Sequence, residues 1–262
     1  MKNVFAAAMI AAVGASASAT TLYTTSFEAP TFAVGSLNGQ DLWSNFSSPA
    51  SLFQVSNQAG FARTGTQFAF VNSAAAASAG SQWSARPTTV APVSAPNNII
   101  RASVYTAVLN QTTAAVNRQT AGGIELFDDV GNFIAGIRIR NDGAIVVRNS
   151  TGTQTGSLPA GTVTPNAYNQ VAVEADFGLQ RARFYVNGIE LNTTGLGATW
   201  ANFSSTGFGD ADLWVVRSNT GTTNSGGHTV LFDDFSVERI PTPGALSVLG
   251  LAGLVAARRR RA

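Results

Sequence analysis

The sequence predicts an all-β protein whose body, residues 20–240, folds as a two-sheet antiparallel β-sandwich. Apolar and polar residues alternate with period two through the second half of this body, as they do in strands with one buried face. Runs of this kind, about a dozen in all, are separated by turns rich in Gly, Asn, Ser and Thr. No convincing helical pattern interrupts them, so two stacked antiparallel sheets are the expected architecture.

The clearest strands predict a hairpin in the second half of the chain. In residues 168–177 the odd positions from Val171 onward are apolar, and most even positions are polar. Residues 181–186 alternate likewise, and Asn187-Gly188 supplies the two positive-φ residues of a tight turn before 189–191. Further strands are expected at residues 22–27, 52–55, 68–71, 99–109, 124–127, 132–140, 144–148, 213–217 and 230–237.

Proline marks an irregular segment in the first half of the body. Residues 87–96 contain three prolines, and proline cannot donate to a sheet ladder. We expect an edge loop there rather than a domain boundary, because neither side alone holds a complete sandwich.

Residues 1–19 have the composition of a secretory signal peptide, which forms a short helix and is then removed. Lys2 supplies the charged start, and residues 4–15 form a short apolar run. Ala17 and Ala19 flank Ser18 as the small residues that signal peptidase requires. We therefore expect export and exclude this segment from the fold.

Residues 241–262 form a second segment that looks like a targeting signal. A Pro-Thr-Pro break precedes 14 apolar or small residues at 244–257, and four arginines follow. As a helix, the apolar run would span about 21 Å, short of the ~30 Å hydrocarbon core, so it predicts a marginal, transient membrane insertion. The arginines should stay cytoplasmic and leave the body outside. The break is Pro241, Thr242 and Pro243, and the basic block is Arg258, Arg259, Arg260 and Arg261.

The charge of the body excludes nucleic acid as a partner. Between residues 20 and 240 there are 11 arginines, no lysine and 14 acidic residues, which leaves three net negative charges. The overall pI of about 9.4 arises from the two ends. Nucleic-acid binding needs a basic face, and none is expected here. The absence of cysteine excludes disulfides and thiolate metal sites.

The three-part tail resembles the PEP-CTERM sorting signal. Thr242 stands where that signal usually has Glu, and the order of proline break, apolar helix and arginine cluster is otherwise kept. The resemblance implies recognition by an exosortase-like membrane protease. It also implies a destination at the cell surface, in the envelope or in an extracellular biofilm matrix. An ordinary tail anchor is the alternative.

The body is similar to concanavalin A-like and carbohydrate-binding jelly-roll domains. The similarity rests on Glu28 in a Ser-Phe-Glu segment, on Gly39, Gln40 and Trp43 in the segment GSLNGQDLW, and on residues 231–237, LFDDFSV. It implies that the first and last strands are neighbours. It also implies that their acidic residues share a structural Ca²⁺.

Three carboxylates are therefore candidate calcium ligands. Asp233 has the parity of the apolar face in residues 231–237, and an unpaired buried carboxylate is costly. It should therefore meet a cation, an arginine or backbone donors. Glu28 and Asp234 are the expected co-ligands in an oxygen shell that suits Ca²⁺. The alternative is that Asp233 caps a loop at the end of the sheet.

Glycan binding would need aromatic platforms. Trp83 and Trp200 are the better candidates because they lie in segments that look like loops. Most tryptophans of a sandwich belong to its core, which is the alternative for both residues.

No catalytic constellation is recognisable. The only histidine is His228, and no Gly-x-Ser-x-Gly motif occurs. Glu174-Ala175-Asp176 matches the first half of the Glu-x-Asp-x-x-Glu motif of sandwich glycanases, but Leu179 stands where the last Glu should be. Glu174 and Asp176 are expected on a solvent-exposed strand face.

The sequence as a whole predicts a non-catalytic exported surface or matrix protein that is adhesive or glycan-binding. Its partners would be signal peptidase, an exosortase-like protease and extracellular polysaccharide. The alternative is a secreted glycan-degrading enzyme of the same fold.

Overall fold

The chain folds as two stacked antiparallel β-sheets. The computed structural model describes residues 19–46, 52–72, 82–87, 93–94, 99–109, 120–140, 142–149, 152–156, 162–193, 202–217 and 229–240. Every element in these ranges is a strand, so the predicted all-β, two-sheet architecture is confirmed. Both terminal segments, with Ala17 and the tail from Pro241 onward, lie outside the described residues, and export and sorting stay predictions.

The first sheet contains nine of the described strands. Its order is β15-β14-β13-β8-β17-β5-β4-β2, and β1 pairs with the second half of β17. The first and last strands are therefore neighbours, as the resemblance implied. The strands are β1 (Thr20–Thr25), β2 (Gly35–Ser36), β4 (Phe53–Ser56), β5 (Phe68–Asn72), β8 (Ile99–Val108), β13 (Asn169–Asp176), β14 (Arg181–Val186), β15 (Ile189–Glu190) and β17 (Thr229–Ile240).

The second sheet contains eight of the described strands. Its order is β12-β11-β10-β9-β16-β6-β3, and β7 pairs with β16. The strands are β3 (Trp43–Phe46), β6 (Gln82–Pro87), β7 (Val93–Ser94), β9 (Thr120–Asp128), β10 (Phe133–Arg140), β11 (Ile145–Asn149), β12 (Gly152–Gly156) and β16 (Gly207–Arg217).

The core lies between the two sheets and is built by the alternation seen in the sequence. Val171, Val173 and Ala175 of β13 point into one continuous apolar cluster. Leu213 and Val215 of β16 enter the same cluster from the opposite sheet. Each strand thus keeps one face for the core and turns the other outward.

The Gly-Gln-x-x-Trp motif builds a turn that carries a core residue. Gly39 has φ +87°, and its N–H donates to the Trp43 carbonyl at 2.7 Å. The Gln40 side chain donates to the carbonyls of Ala33 at 2.9 Å and Ser36 at 2.6 Å. Trp43 is thereby fixed in the core, and its Nε1–H donates to the Tyr23 hydroxyl at 2.8 Å. The motif is structural.

Two expectations about strands are wrong. Trp83 was placed in a loop but lies in β6, where it pairs in register with Val215. In β17 the alternation breaks at a bulge between Asp233 and Ser236, where Asp234 has φ +46°. Because of this extra residue, Asp233 points to the opposite side of the sheet from Phe235, which lies in the core.

Among the described residues there is no helix that could cross a membrane.

Candidate functional site

The outer face of the eight-stranded sheet carries an unusual set of buried polar side chains, which we call the polar face. In β16, Asp210, Asp212 and Trp214 alternate with Ala211 and Leu213 of the core, so they point away from it. Asp212 and Trp214 are each only 1 % exposed. The polar face consists of Ser84, Arg86, Glu125, Arg138, Arg148, Asp210, Asp212 and Trp214.

Strand register aligns these side chains in two adjacent rows. In the first row, Asp212 of β16 lies directly opposite Glu125 of β9. Glu125 is in turn opposite Gly136 of β10, and Gly136 is opposite Arg148 of β11. Side chains opposite each other on neighbouring strands have Cβ atoms about 5 Å apart, so they interact directly. Because Gly136 has no side chain, Arg148 reaches across β10, and its Nη1 lies 3.2 Å from Glu125 Oε1.

The second row places an arginine over a tryptophan. Trp214 lies opposite Gly123, and Gly123 lies opposite Arg138. The Arg138 guanidinium sits 4.1 Å from the centroid of the Trp214 ring, a cation–π contact. With no side chain on Gly123 between them, the two groups can meet across the intervening strand.

Gly136 keeps the space that both rows need. A Cβ atom at this position would lie 3.1 Å from Glu125 Cγ and 3.3 Å from Trp214 Cζ3. Both contacts are tighter than ordinary van der Waals separation. Glycine at 136 therefore lets the Glu125 side chain and the indole ring pack over the strand.

Several buried polar atoms of this face have no hydrogen-bond partner among the described residues. They are both carboxylate oxygens of Asp212, Oδ1 of Asp210, Nε1 of Trp214 and Nε of Arg138. Ser84 and Asp210 are polar neighbours of the Asp212 carboxyl group, but neither meets hydrogen-bond geometry with it. Asp210 Oδ2 does accept from Arg86 Nη1 at 2.5 Å. Buried polar groups are normally paired, so such a concentration calls for water or a ligand.

Burial raises the pKa values of the two facing carboxyl groups. Desolvation raises the pKa of Glu125 to about 7, although the charges of Arg148 and Arg138 act in the opposite direction. Desolvation raises the pKa of Asp212 well above its usual range, and the negative charges of Asp210 and Glu125 add to this effect. Burial also lowers the pKa of Arg138 to about 10. With a pKa near 7, Glu125 changes its protonation state around neutral pH, beside an Asp212 carboxyl group whose neutral form is favoured by burial.

This arrangement offers donors and acceptors side by side. The indole and guanidinium N–H groups donate, and the carboxyl oxygens accept. Hydroxyl groups also donate and accept, so the unpaired atoms suit a ligand rich in hydroxyls. Two facing carboxyl groups with raised pKa values also suit general acid–base chemistry.

The three candidate calcium ligands contact one loop, residues 57–67, with Glu28 placed in the segment after β1 and Asp233 and Asp234 in β17. Glu28 Oε1 accepts from the N–H groups of Thr66 at 2.8 Å and Gln67 at 2.7 Å. Asp233 Oδ2 accepts from the N–H groups of Arg63 at 2.9 Å and Thr64 at 3.1 Å.

Asp234 completes this set, which we call the loop clamp. It accepts from the Thr64 hydroxyl at 2.7 Å and forms an ion pair with Arg63. Arg63 also stacks on Tyr105, with its guanidinium carbon 3.4 Å from the ring centroid. Burial raises the pKa of Asp233 to about 6, although the N–H groups of Thr64, Asp234 and Arg63 oppose the rise.

The loop clamp meets the needs of Asp233 without a cation. Its carboxylate accepts three backbone N–H groups, including that of Asp234 at 2.8 Å. Positive N–H dipoles point at the oxygens that a metal would share. Nowhere in the described residues do three or more His, Cys, Asp or Glu form a group that could hold a metal ion. The hydrogen bonds fit the loop-capping alternative, and the calcium site stays a prediction.

The other candidates fall in different places. Trp200 and His228 lie outside the described residues, and of Trp83 only the backbone position in β6 is described. The two aromatic platforms therefore stay predictions.

Glu174 is not on a solvent-exposed face, contrary to expectation. It is 6 % exposed and contacts Arg101 at 3.3 Å, Arg183 at 2.8 Å and the Tyr185 hydroxyl at 2.9 Å. These neighbours cover it because β8 and β14 flank β13 on both sides. Asp176 instead caps the following turn by accepting from the N–H of Leu179 at 2.9 Å.

The polar face was not among the sites predicted from the sequence. One signal was available: in residues 210–215 two aspartates and a tryptophan alternate with Ala211, Leu213 and Val215. Such a strand has an inner apolar face and an outer face of Asp, Asp and Trp. The partner Glu125 lies 87 residues earlier, and only the sheet register reveals it.

Comparison with known proteins shows the fold. No family model and no curated protein matches the chain. Among solved structures, an endo-1,3-β-glucanase from Streptomyces sioyaensis is 13 % identical over 86 % of this chain and 98 % of its own, with a TM-score of 0.57. An endo-β-1,4-glucuronan lyase from the fungus Trichoderma reesei is 12 % identical over 83 % and 95 %, with a TM-score of 0.53.

A third similar structure is a carbohydrate esterase from the Shiga toxin-encoding bacteriophage phi24B. It is 17 % identical over 86 % of this chain and 100 % of its own, with a TM-score of 0.50. At such identities the likeness establishes architecture and not activity. The chain is thus an all-β, two-sheet antiparallel sandwich that resembles the concanavalin A-like jelly roll, a fold whose members include glycan-active enzymes.

Proposed function

We propose that this protein is an exported, non-catalytic β-sandwich that binds an extracellular polysaccharide on its polar face. One observation carries the proposal: buried donors and acceptors of Asp212, Trp214 and Arg138 converge on one sheet face without partners among the described residues. The rim of this face is open, since the side chains of Arg86 and Arg148 are 32 % and 33 % exposed. A glycan hydroxyl entering between them, directly or through water, would satisfy these atoms.

The two ends of the sequence support an extracellular location. The signal peptide at 1–19 delivers the chain to signal peptidase, and the tail at 241–262 delivers it to an exosortase-like protease after transient membrane insertion. The mature domain then works at the cell surface or in the extracellular matrix, where polysaccharide is abundant. The fold shared with glycan-active enzymes supports the choice of ligand.

Retention on polysaccharide gels tests the binding proposal. The processed protein is run through native gels that each contain one soluble polysaccharide, either neutral or acidic. We expect at least one polysaccharide to retard the wild type. Asp212→Asn and Trp214→Phe should weaken that retardation about tenfold, because each removes one buried polar contact. Asp142→Asn, in an exposed turn, is the matched control. Absence of retardation on every gel, or equal retardation of all variants, would overturn the proposal.

A glycan-degrading enzyme is the second candidate. Glu125 and Asp212 face each other across β9 and β16 with raised pKa values, as an acid and a base of one site would. Release of reducing or unsaturated ends from a polysaccharide panel tests it. Activity that disappears in Glu125→Gln would favour this candidate over the binding protein.

A further inference from the structure

A cavity opens on the outer face of the nine-stranded sheet, away from the polar face. Its volume is about 350 Å³, within the range of small-molecule sites. It lies where β4, β5 and the start of β17 meet, and residues from the 57–67 loop form one of its walls.

The floor of the cavity is apolar although it faces outward. Phe68 and Phe70 alternate with the core residues Ala69 and Val71, so their rings point away from the core. Phe61 joins them from the loop, and successive ring centroids are 6.1 Å and 6.0 Å apart. Phe68 is 3 % exposed, whereas Phe61 and Phe70 are half-buried, so the three rings form an apolar floor that remains partly accessible to a ligand.

The rim of the cavity is polar and uncharged. Ser56, Gln58, Asn72 and Thr229 contribute hydroxyl and amide groups. None of the described lining residues carries a charge, so a charged ligand would lose hydration without gaining a partner. An apolar floor with an amide and hydroxyl rim matches a neutral sugar ring, which presents C–H groups on one side and hydroxyls around its edge.

The loop clamp and Tyr168 hold the cavity wall formed by the 57–67 loop in place before any ligand binds. The Tyr168 hydroxyl donates to the Phe61 carbonyl at 2.9 Å. Glu28 and Asp233 hold the following residues of the loop through backbone N–H groups. A wall fixed before binding reduces the entropy lost when a ligand enters.

We propose that this cavity is a second glycan site that takes a short neutral oligosaccharide. It is separate from the polar face, and it gives the protein two binding surfaces on opposite sides of the sandwich. One molecule can then bind two polysaccharide strands at once, which suits a matrix role.

Calorimetric titration of the processed protein with cellotriose and laminaritriose tests the site. We expect one of these neutral trisaccharides to bind. Phe70→Ala should weaken binding at least tenfold, and Gln58→Ala should weaken it two- to tenfold, as for loss of one hydrogen bond. Gln58 is exposed, so its loss leaves folding intact. Asp142→Asn, in an exposed turn, is the control and should change nothing. Asp212→Asn reports whether the sugar binds the polar face instead.

Three results would overturn the proposal. They are absence of binding by both neutral trisaccharides, unchanged affinity in both cavity variants, and loss of trisaccharide binding in Asp212→Asn. The third would assign the sugar to the polar face and leave the first proposal standing.

Discussion

The polar face on the eight-stranded sheet and the cavity on the nine-stranded sheet carry opposite kinds of outward-pointing side chain. Alternation turns half of each strand away from the core, and on the eight-stranded sheet these positions hold carboxylates, arginines and Trp214. On the nine-stranded sheet, around the cavity, they hold phenylalanines with a neutral rim. The polar face is buried and electrostatically coupled, whereas the described lining of the cavity is uncharged. Perturbations of the two faces should therefore differ in both size and pH dependence.

The largest expected difference is in stability. Trp214→Ala removes a ring that is 1 % exposed and packed under Arg138, and should cost about 3–5 kcal/mol of unfolding free energy. Phe70→Ala removes a half-buried ring at the cavity and should cost about 1–2 kcal/mol. Urea unfolding of both variants measures this. Equal costs would show that the two faces are packed alike.

The next effect is the pH dependence of stability that Glu125 contributes on the polar face. Because the folded state raises the pKa of Glu125 from 4.5 to about 7, it binds a proton more tightly than the unfolded state. The resulting stability is full below pH 4.5 and is lost as pH rises through 7, by about 3 kcal/mol at most. Glu125→Gln should remove this loss, whereas Glu190→Gln, at an exposed position, should not. Parallel unfolding curves for the wild type and Glu125→Gln from pH 4 to 8 would contradict it.

A smaller effect is expected at the loop clamp. Asp233→Asn leaves one oxygen to serve the N–H groups of Arg63, Thr64 and Asp234, and should cost about 1–3 kcal/mol. Hydrogen exchange of the Arg63 and Thr64 amides should become faster. Asp129→Asn in an exposed turn is the matched control. If both amides exchange at the wild-type rate, the clamp does not hold the loop.

The smallest effect should come from metal removal. If hydrogen bonds alone satisfy Asp233, then EDTA or added Ca²⁺ should move the melting temperature by less than about 1 °C, since only a ligand bound to the folded state stabilises it. Differential scanning calorimetry in both conditions decides between the clamp and the calcium site. A rise with Ca²⁺ that is lost in Asp233→Asn would establish calcium there.

The alternation of apolar and polar residues predicted most strands, but it did not predict which side chains cluster on the outer faces of the sheets. Residues 181–186 coincide with β14, because every second residue there is apolar. β2, β3, β6, β7 and β12 were not identified, since their sequences are short or lack alternation. In β17 the bulge at Asp234 shifts the apolar–polar alternation by one residue, and nothing in the local sequence predicted this bulge.

The sites depended on contacts between distant segments. Asp233 was recognised as a carboxylate in need of donors, but those donors come from Arg63 and Thr64, 170 and 169 residues away. Glu125 and Asp212 become a pair only through strand register. The cavity likewise joins Phe61 and Phe70 to the first residue of β17. Composition and spacing along the chain do not reveal which residues far apart in the sequence come into contact.

The indole N–H of Trp214 tests the central claim most directly. Nitrogen-15 labelled protein gives a separate side-chain signal for each tryptophan, and Trp214→Phe assigns the relevant one. We expect the polysaccharide that retards the protein in gels, added as a short soluble fragment, to shift the Trp214 Nε1–H signal, because that group gains the partner it lacks. The Trp43 signal, already bonded to Tyr23, should stay in place. Binding that leaves the Trp214 signal unmoved would contradict a glycan site on the polar face.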